Sequence, residues 1–150
     1  MVLKKKQYKK TLYNSLVNSF ILKGKKKKAK GIVDTTLLSL SKSTGTSLIK
    51  LLFNIYLKLD YFIEIKQVKI KRRTYTIPFA ISYNRRIYLI IKKIKTAAES
   101  IKRKTSFSEN LKVELYNILK MSNNSKALKL LRNNQIQSKA SRSNIHFRWK

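Results

Sequence analysis

The chemistry this chain offers lies in clustered positive charge. Lys25, Lys26, Lys27 and Lys28 are consecutive, Lys66, Lys69, Lys71, Arg72 and Arg73 share one short stretch, and Arg85 and Arg86 are adjacent. Such groups bind phosphate oxygens and release condensed counterions; arginine adds a planar fork that grips phosphate in two places. Lys4, Lys5, Lys6, Lys9 and Lys10 form a further cluster in residues 1–10. Arg142, His146, Arg148 and Trp149 close the chain. There an indole can stack on a base and an imidazole can hydrogen-bond to RNA.

Catalytic chemistry lacks material. His146 is the only histidine, cysteine is absent, and the six acids (Asp34, Asp60, Glu64, Glu99, Glu109, Glu114) are scattered. No HExxH or phosphate-cradling GxxxxGK[ST] string occurs. Neither an enzyme, a metal site nor a cofactor is expected.

Composition points the same way. Thirty-six Lys and Arg against six acids give a formal charge of +30 over 150 residues. A compact domain so charged repels itself until a polyanion neutralises it. Apolar residues reach 43%, enough for a real core and too many for a disordered basic tail. The densest apolar run, residues 51–57, falls far short of the about 18–20 residues that cross a bilayer, and no secretory signal pattern is visible. Lysine outnumbers arginine 28 to 8, and Gly, Ala and Pro are scarce; A/T-rich codons encode the favoured residues, which suggests an AT-rich genome.

These groups need elements to hold them. Leu12, Leu16, Val17 and Phe20 predict a helix over about 12–22, with Gly24 as its stop. Ala29, Ile32, Val33, Leu37 and Leu40 predict a second helix. Thr44-Gly45-Thr46 reads as a turn, with Thr46 or Ser47 capping a third helix through about Leu59. That helix is apolar on several sides, so it is expected to be the buried one. Alternation then marks strands around Tyr61–Ile65 and Tyr75–Ile81, joined by a basic tip as a β-hairpin. Pro78 belongs on an open edge, and Tyr75 and Phe79 are read as core. Asn84 is expected to cap a helix with an Ile87, Ile90, Ile91, Ile94, Ala98 and Ile101 stripe. Lys92, Lys93 and Lys95 fall on its other faces, Glu99 can pair with Arg103, and Arg85-Arg86 oppose the dipole at its start. Ser106 or Ser108 can cap a helix carrying Phe107, Leu111, Leu115, Ile118 and Leu119, and a weaker helix runs from about Ser125.

The fold class is therefore mainly α: a single helical-bundle domain of about six helices with a protruding β-hairpin. The expected layout is a basic arm at 1–10, a helical domain at 11–134 with its hairpin at about 61–81, and a basic tail at 135–150.

Four ordered blocks resemble small ribosomal subunit protein seven of the bacterial and organellar type. They are Leu16-Val17-Asn18 through Gly24-Lys25-Lys26 to Ile32-Val33; Glu64-Ile65-Lys66 with Thr74-Tyr75-Thr76-Ile77-Pro78; Arg85-Arg86 with Ala97-Ala98-Glu99; and His146-Phe147-Arg148-Trp149. Lys71 and Arg72 stand where that family has two tip glycines. The resemblance implies a structural protein that binds the 3′ major domain of small-subunit rRNA and helps assemble the subunit head. It implies a hairpin near exit-site tRNA and mRNA, and contact with platform protein eleven. With the AT-rich signature, and little room for a presequence before residue 12, it favours a mitochondrial ribosome over a plastid or bacterial one. The competing readings are an organellar architectural DNA-binding protein and a basic amphipathic protein on a membrane surface.

Overall fold

The computed structural model describes residues 12–101 and 106–149. Helix α1 covers residues 12–19, and α2 Lys26–Thr44 and α3 Leu48–Leu59 follow. Strands β1 (Ile63–Ile70) and β2 (Arg73–Ala80) come next, then α4 (Tyr83–Glu99), α5 (Phe107–Leu119), α6 (Lys126–Ala140) and a 3₁₀ helix (Arg142–Trp149). This is the expected class: a mainly helical domain carrying one antiparallel hairpin.

The apolar stripes meet around α5. It packs against α2, α3, α4 and α6, and Leu111, Leu115 and Ile118 are sealed from solvent. Helix α4 brings Ile87, Ile90, Ile91, Ile94, Ala97 and Ala98 to the same core, while α2 brings Val33, Leu37 and Leu40. The central helix is thus α5, not α3 as its composition suggested. Helix α3 buries only Leu51, Ile55 and Leu59, and leaves Leu48, Ile49, Phe53 and Leu57 exposed. Apolar residues all round a helix say that it is apolar, not that neighbours cover each side.

Several junctions follow local chemistry. Gly45 takes φ +64° after α2 and donates to the Ser41 carbonyl, a left-handed stop that suits glycine. Helix α1 ends before Gly24, and Lys23 and Gly24 (φ 49° and 72°) form the turn into α2. Ser82 rather than Asn84 precedes α4; either side chain suits a cap, so composition does not separate them. Ser106 Oγ accepts from the Glu109 amide at the start of α5, and Ser125 Oγ from the Leu128 amide at the start of α6. After α5, Ser122 N–H donates to the Asn117 carbonyl and Met121 N–H to the Ile118 carbonyl, with Met121 at φ +54°. That is a Schellman stop with methionine in a position that favours glycine.

The hairpin pairs Ile63 with Ala80 through to Ile70 with Arg73. Its turn is therefore Lys71-Arg72, with Lys71 at φ +54°, the positive φ that tight hairpin turns demand and glycine supplies more easily. Pro78 pairs with Ile65 in a two-stranded sheet; it is buried rather than on the open edge expected, because the 3₁₀ helix covers this part of β2. Helix α6 packs on β1 and the 3₁₀ helix on β2. The chain end is therefore folded: residues 135–140 continue α6, and Asn144 and Phe147 lie against β2. Asn144 Nδ2 donates to the Thr76 carbonyl at 3.0 Å, and Phe147 meets Tyr75 with ring centroids 4.6 Å apart. Its polar sequence hid this packing, which runs through main-chain acceptors and one aromatic pair.

Candidate nucleic-acid interface

The hairpin presents Lys66, Lys69, Lys71, Arg72 and Arg73 to solvent. Lys66 Nζ lies 5.3 Å from the Phe79 ring centre. Lys25, Lys26, Lys27 and Lys28 are also exposed, and the last three form the first turn of α2, which contains no acid. Cations at a helix N-terminus face the positive end of its dipole, a cost of about 0.3–1 kcal/mol each at low salt that an incoming phosphate offsets. Lys4, Lys5, Lys6, Lys9 and Lys10 lie outside the described residues, as does Arg103, the expected partner of Glu99.

Arg85 and Arg86, expected as phosphate clamps, each hold a carboxylate in the structure. Arg85 grips Glu64 through two nitrogens, at 2.8 and 3.2 Å. That bond holds the Glu64 carboxyl below its usual range. Arg86 holds Asp60 at 3.2 Å with both side chains under a fifth exposed, and its guanidinium stacks 4.4 Å from the Phe62 ring centre. The pair ties the start of α4 to the chain entering β1, and so aims the hairpin. Adjacent arginines in a sequence do not reveal that acids twenty-odd residues earlier fold back onto them.

The C-terminal group divides in the same way. Arg142 and His146 are exposed, and His146 Nδ1 lies 2.7 Å from the Ser143 carbonyl. Arg148 Nε donates to the Pro78 carbonyl at 2.6 Å, with the guanidinium over Phe79, so it fastens the chain end to the hairpin base. The Trp149 side chain is outside the described set. Tyr75 and Phe79 are half-buried, consistent with a packing role.

Glu99 and Glu109 are exposed, and the other four acids are held by protein groups. Asp34 accepts from the Tyr13 hydroxyl at 2.6 Å, and that bond pushes the phenol up to about 12. Glu114, almost fully buried, accepts from Ser125 Oγ and the Ala127 amide at 2.7 and 2.9 Å. It thereby closes the N-terminus of α6, where a carboxylate also meets the favourable end of the dipole. Among the described residues no cluster of His, Cys, Asp or Glu suited to a metal forms. Three lysines likewise serve the fold. Lys58 donates to the Leu119 carbonyl, Lys95 to Ser19 at 2.9 Å and Lys126 to Ser100 at 2.7 Å. Each satisfies a carbonyl at the end of another helix, where cations are favoured.

Lys93, read as lying on another face of α4 than the apolar stripe, is buried, at 8% exposure. Its Nζ sits 3.6 Å from the Tyr61 ring centre and has no hydrogen-bond partner. Burial pulls its ammonium down to about 8. It lines a cleft of about 750 Å³ between the hairpin, α4, α6 and the 3₁₀ helix. Hydropathy gave no signal for this placement, because period alone does not show that the hairpin folds over this side of α4.

The family described as ribosomal protein S7p/S5e matches residues 1–142. A small ribosomal subunit protein uS7 of Petrotoga mobilis (strain DSM 10674 / SJ95) is 28% identical over 141 residues, covering 92% of this chain and 87% of that protein. One from Sulfurihydrogenibium sp. (strain YO3AOP1) is 24% identical over 144 residues, covering 95% and 89%. Both of these relatives are bacterial, and the matches cover most of each protein. A mainly helical domain with one hairpin agrees with that match: the chain belongs to the ribosomal protein S7p/S5e family, as a structural, non-enzymatic protein of the small-subunit type.

Proposed function

We propose that this protein binds small-subunit rRNA through phosphate contacts on several faces and helps assemble the head of the subunit, on the 3′ major domain. The observation that carries the reading is the sorting of charge. Asp34, Asp60, Glu64 and Glu114 are held by protein groups, while the lysines of the α2 entrance and the hairpin face solvent. A-form RNA hides its base edges, so recognition of paired regions rests on backbone shape. Lys25–Lys28, Lys66, Lys69, Lys71, Arg72 and Arg73 are the proposed phosphate contacts; Arg142, His146 and the N-terminal arm lysines are further proposed RNA contacts, and Trp149 is the proposed base-stacking ring. Arg85, Arg86 and Arg148 position the hairpin and the chain end, and the open side of Arg85 adds positive potential.

The family resemblance extends the reading. The hairpin lies near exit-site tRNA and mRNA, and platform protein eleven is a neighbour. The ribosome is mitochondrial, on the AT-rich residue choice; a bacterial or plastid ribosome is the alternative. No described helix is long and apolar enough to cross a membrane.

The test is binding of the full chain to rRNA fragments across a salt series. The expected log–log slope is about −0.7 to −0.9 per phosphate neutralised. A salt-insensitive affinity, or equal affinity for duplex DNA in competition, would overturn the reading.

A further inference from the structure

The cleft between the hairpin, α4 and α6 differs from the rest of the basic surface. Its walls carry the carboxamides of Gln67, Asn134 and Gln137 beside Lys92 and Lys93. Lys93 Nζ is unpartnered although the residue is more than nine-tenths buried, and Gln67 and Gln137 are open to solvent at the cleft. A protein rarely keeps a buried ammonium without an acceptor unless something else supplies one. The acid on the wall, Glu64, is held by Arg85 and does not supply it.

We infer that this cleft takes a single unpaired RNA nucleotide, its phosphate on Lys92 and Lys93 and its base edge on the carboxamides. A duplex presents phosphates but not base edges to such a cleft; a bulged nucleotide presents both. Carboxamides place a donor and an acceptor side by side, the pattern that matches adenine. The volume, about 750 Å³, lies within the roughly 300–1,000 Å³ of sites that enclose small ligands. On binding, rotation about the Lys93 stem lifts its ammonium from the Tyr61 ring to the phosphate. The inference rests on the rRNA-binding reading and adds a base-reading pocket to it.

The test uses the full chain and two RNA hairpins, one fully paired and one with a single bulged adenosine, read by fluorescence anisotropy. The bulged RNA is expected to bind about tenfold tighter, the size of one good carboxamide–base pairing. Asn134→Ala with Gln137→Ala should remove that preference and keep paired-hairpin affinity within about twofold. Lys93→Met should also weaken the bulged RNA selectively; circular dichroism checks its fold, and the carboxamide variant carries the test if it does not fold. Equal binding of the two RNAs by the unaltered chain, or a preference that survives the carboxamide variant, overturns the inference and leaves phosphate binding standing. Failure to bind either RNA at low salt overturns the rRNA-binding reading itself, and this inference with it.

Discussion

Replacing Lys93 by methionine should make the free protein more stable. The residue is 8% exposed, its Nζ lacks a hydrogen-bond partner, and burial pulls its pKa from 10.5 to about 8. At about 1.4 kcal/mol per pH unit, that drop corresponds to roughly 3 kcal/mol of disfavoured charge. Methionine fills similar space without a charge, and losing the cation–π contact with Tyr61 returns about 1 kcal/mol. The net expectation is a gain of about 1–2 kcal/mol at pH 7, or a rise in Tm of about 3–6 °C for a domain of this size. The sign with pH follows from linkage. The folded-state pKa lies below the unfolded one, so between about pH 8 and 10.5 the unfolded chain binds more protons. Lys93 therefore destabilises the fold below about pH 8, and this penalty fades as pH rises to 10.5. Urea denaturation of both proteins at pH 7 and pH 10 measures it. A variant less stable than the parent by 1 kcal/mol or more, with a difference independent of pH, would show that the ammonium holds the fold together.

Four further outcomes are expected. Glu114→Ala should cost about 2–4 kcal/mol, because it leaves Ser125 and the Ala127 amide unpaired in the core; a loss under about 0.5 kcal/mol in urea unfolding would contradict its capping role. Lys71→Gly and Met121→Gly should each stabilise by about 0.5–1 kcal/mol by relieving positive φ, which thermal melts can read. Arg86→Ala should cost about 1–3 kcal/mol, since it strips a partly buried Asp60 of its partner; hydrogen exchange should quicken first in β1. Unchanged exchange with weakened RNA binding would restore the phosphate-clamp role. Acidification should loosen the Glu64–Arg85 tie: a depressed carboxyl pKa gives stability that is present above the unfolded value and lost as pH falls through the folded one. In Glu64→Gln that acid-side loss should be smaller.

The fold was largely legible because helical stripes are local. Leu111, Leu115 and Ile118 announce their face without knowledge of any partner, and alternation marks both strands. Non-local facts were hidden. The exposed flank of α3, the burial of Lys93 and the docking of the chain end on β2 depend on what lies opposite in space. The candidate interface shows the same division. The lysine run and hairpin tip are exposed as their density suggests, but Arg85, Arg86 and Arg148 look identical to phosphate ligands in sequence and hold protein acceptors in the structure. Asp60 and Glu64 gave the neglected signal: acids beside the hairpin of so basic a chain each take an arginine as partner.

The basic clusters thus sort into two kinds of positive charge, one that binds the fold to itself and one that faces solvent, where the proposed rRNA would meet it. Sedimentation of the native protein through a sucrose gradient tests that claim most directly. Co-migration with the small ribosomal subunit that persists through a high-salt wash is the predicted result. A slow, low-mass peak free of rRNA would contradict it.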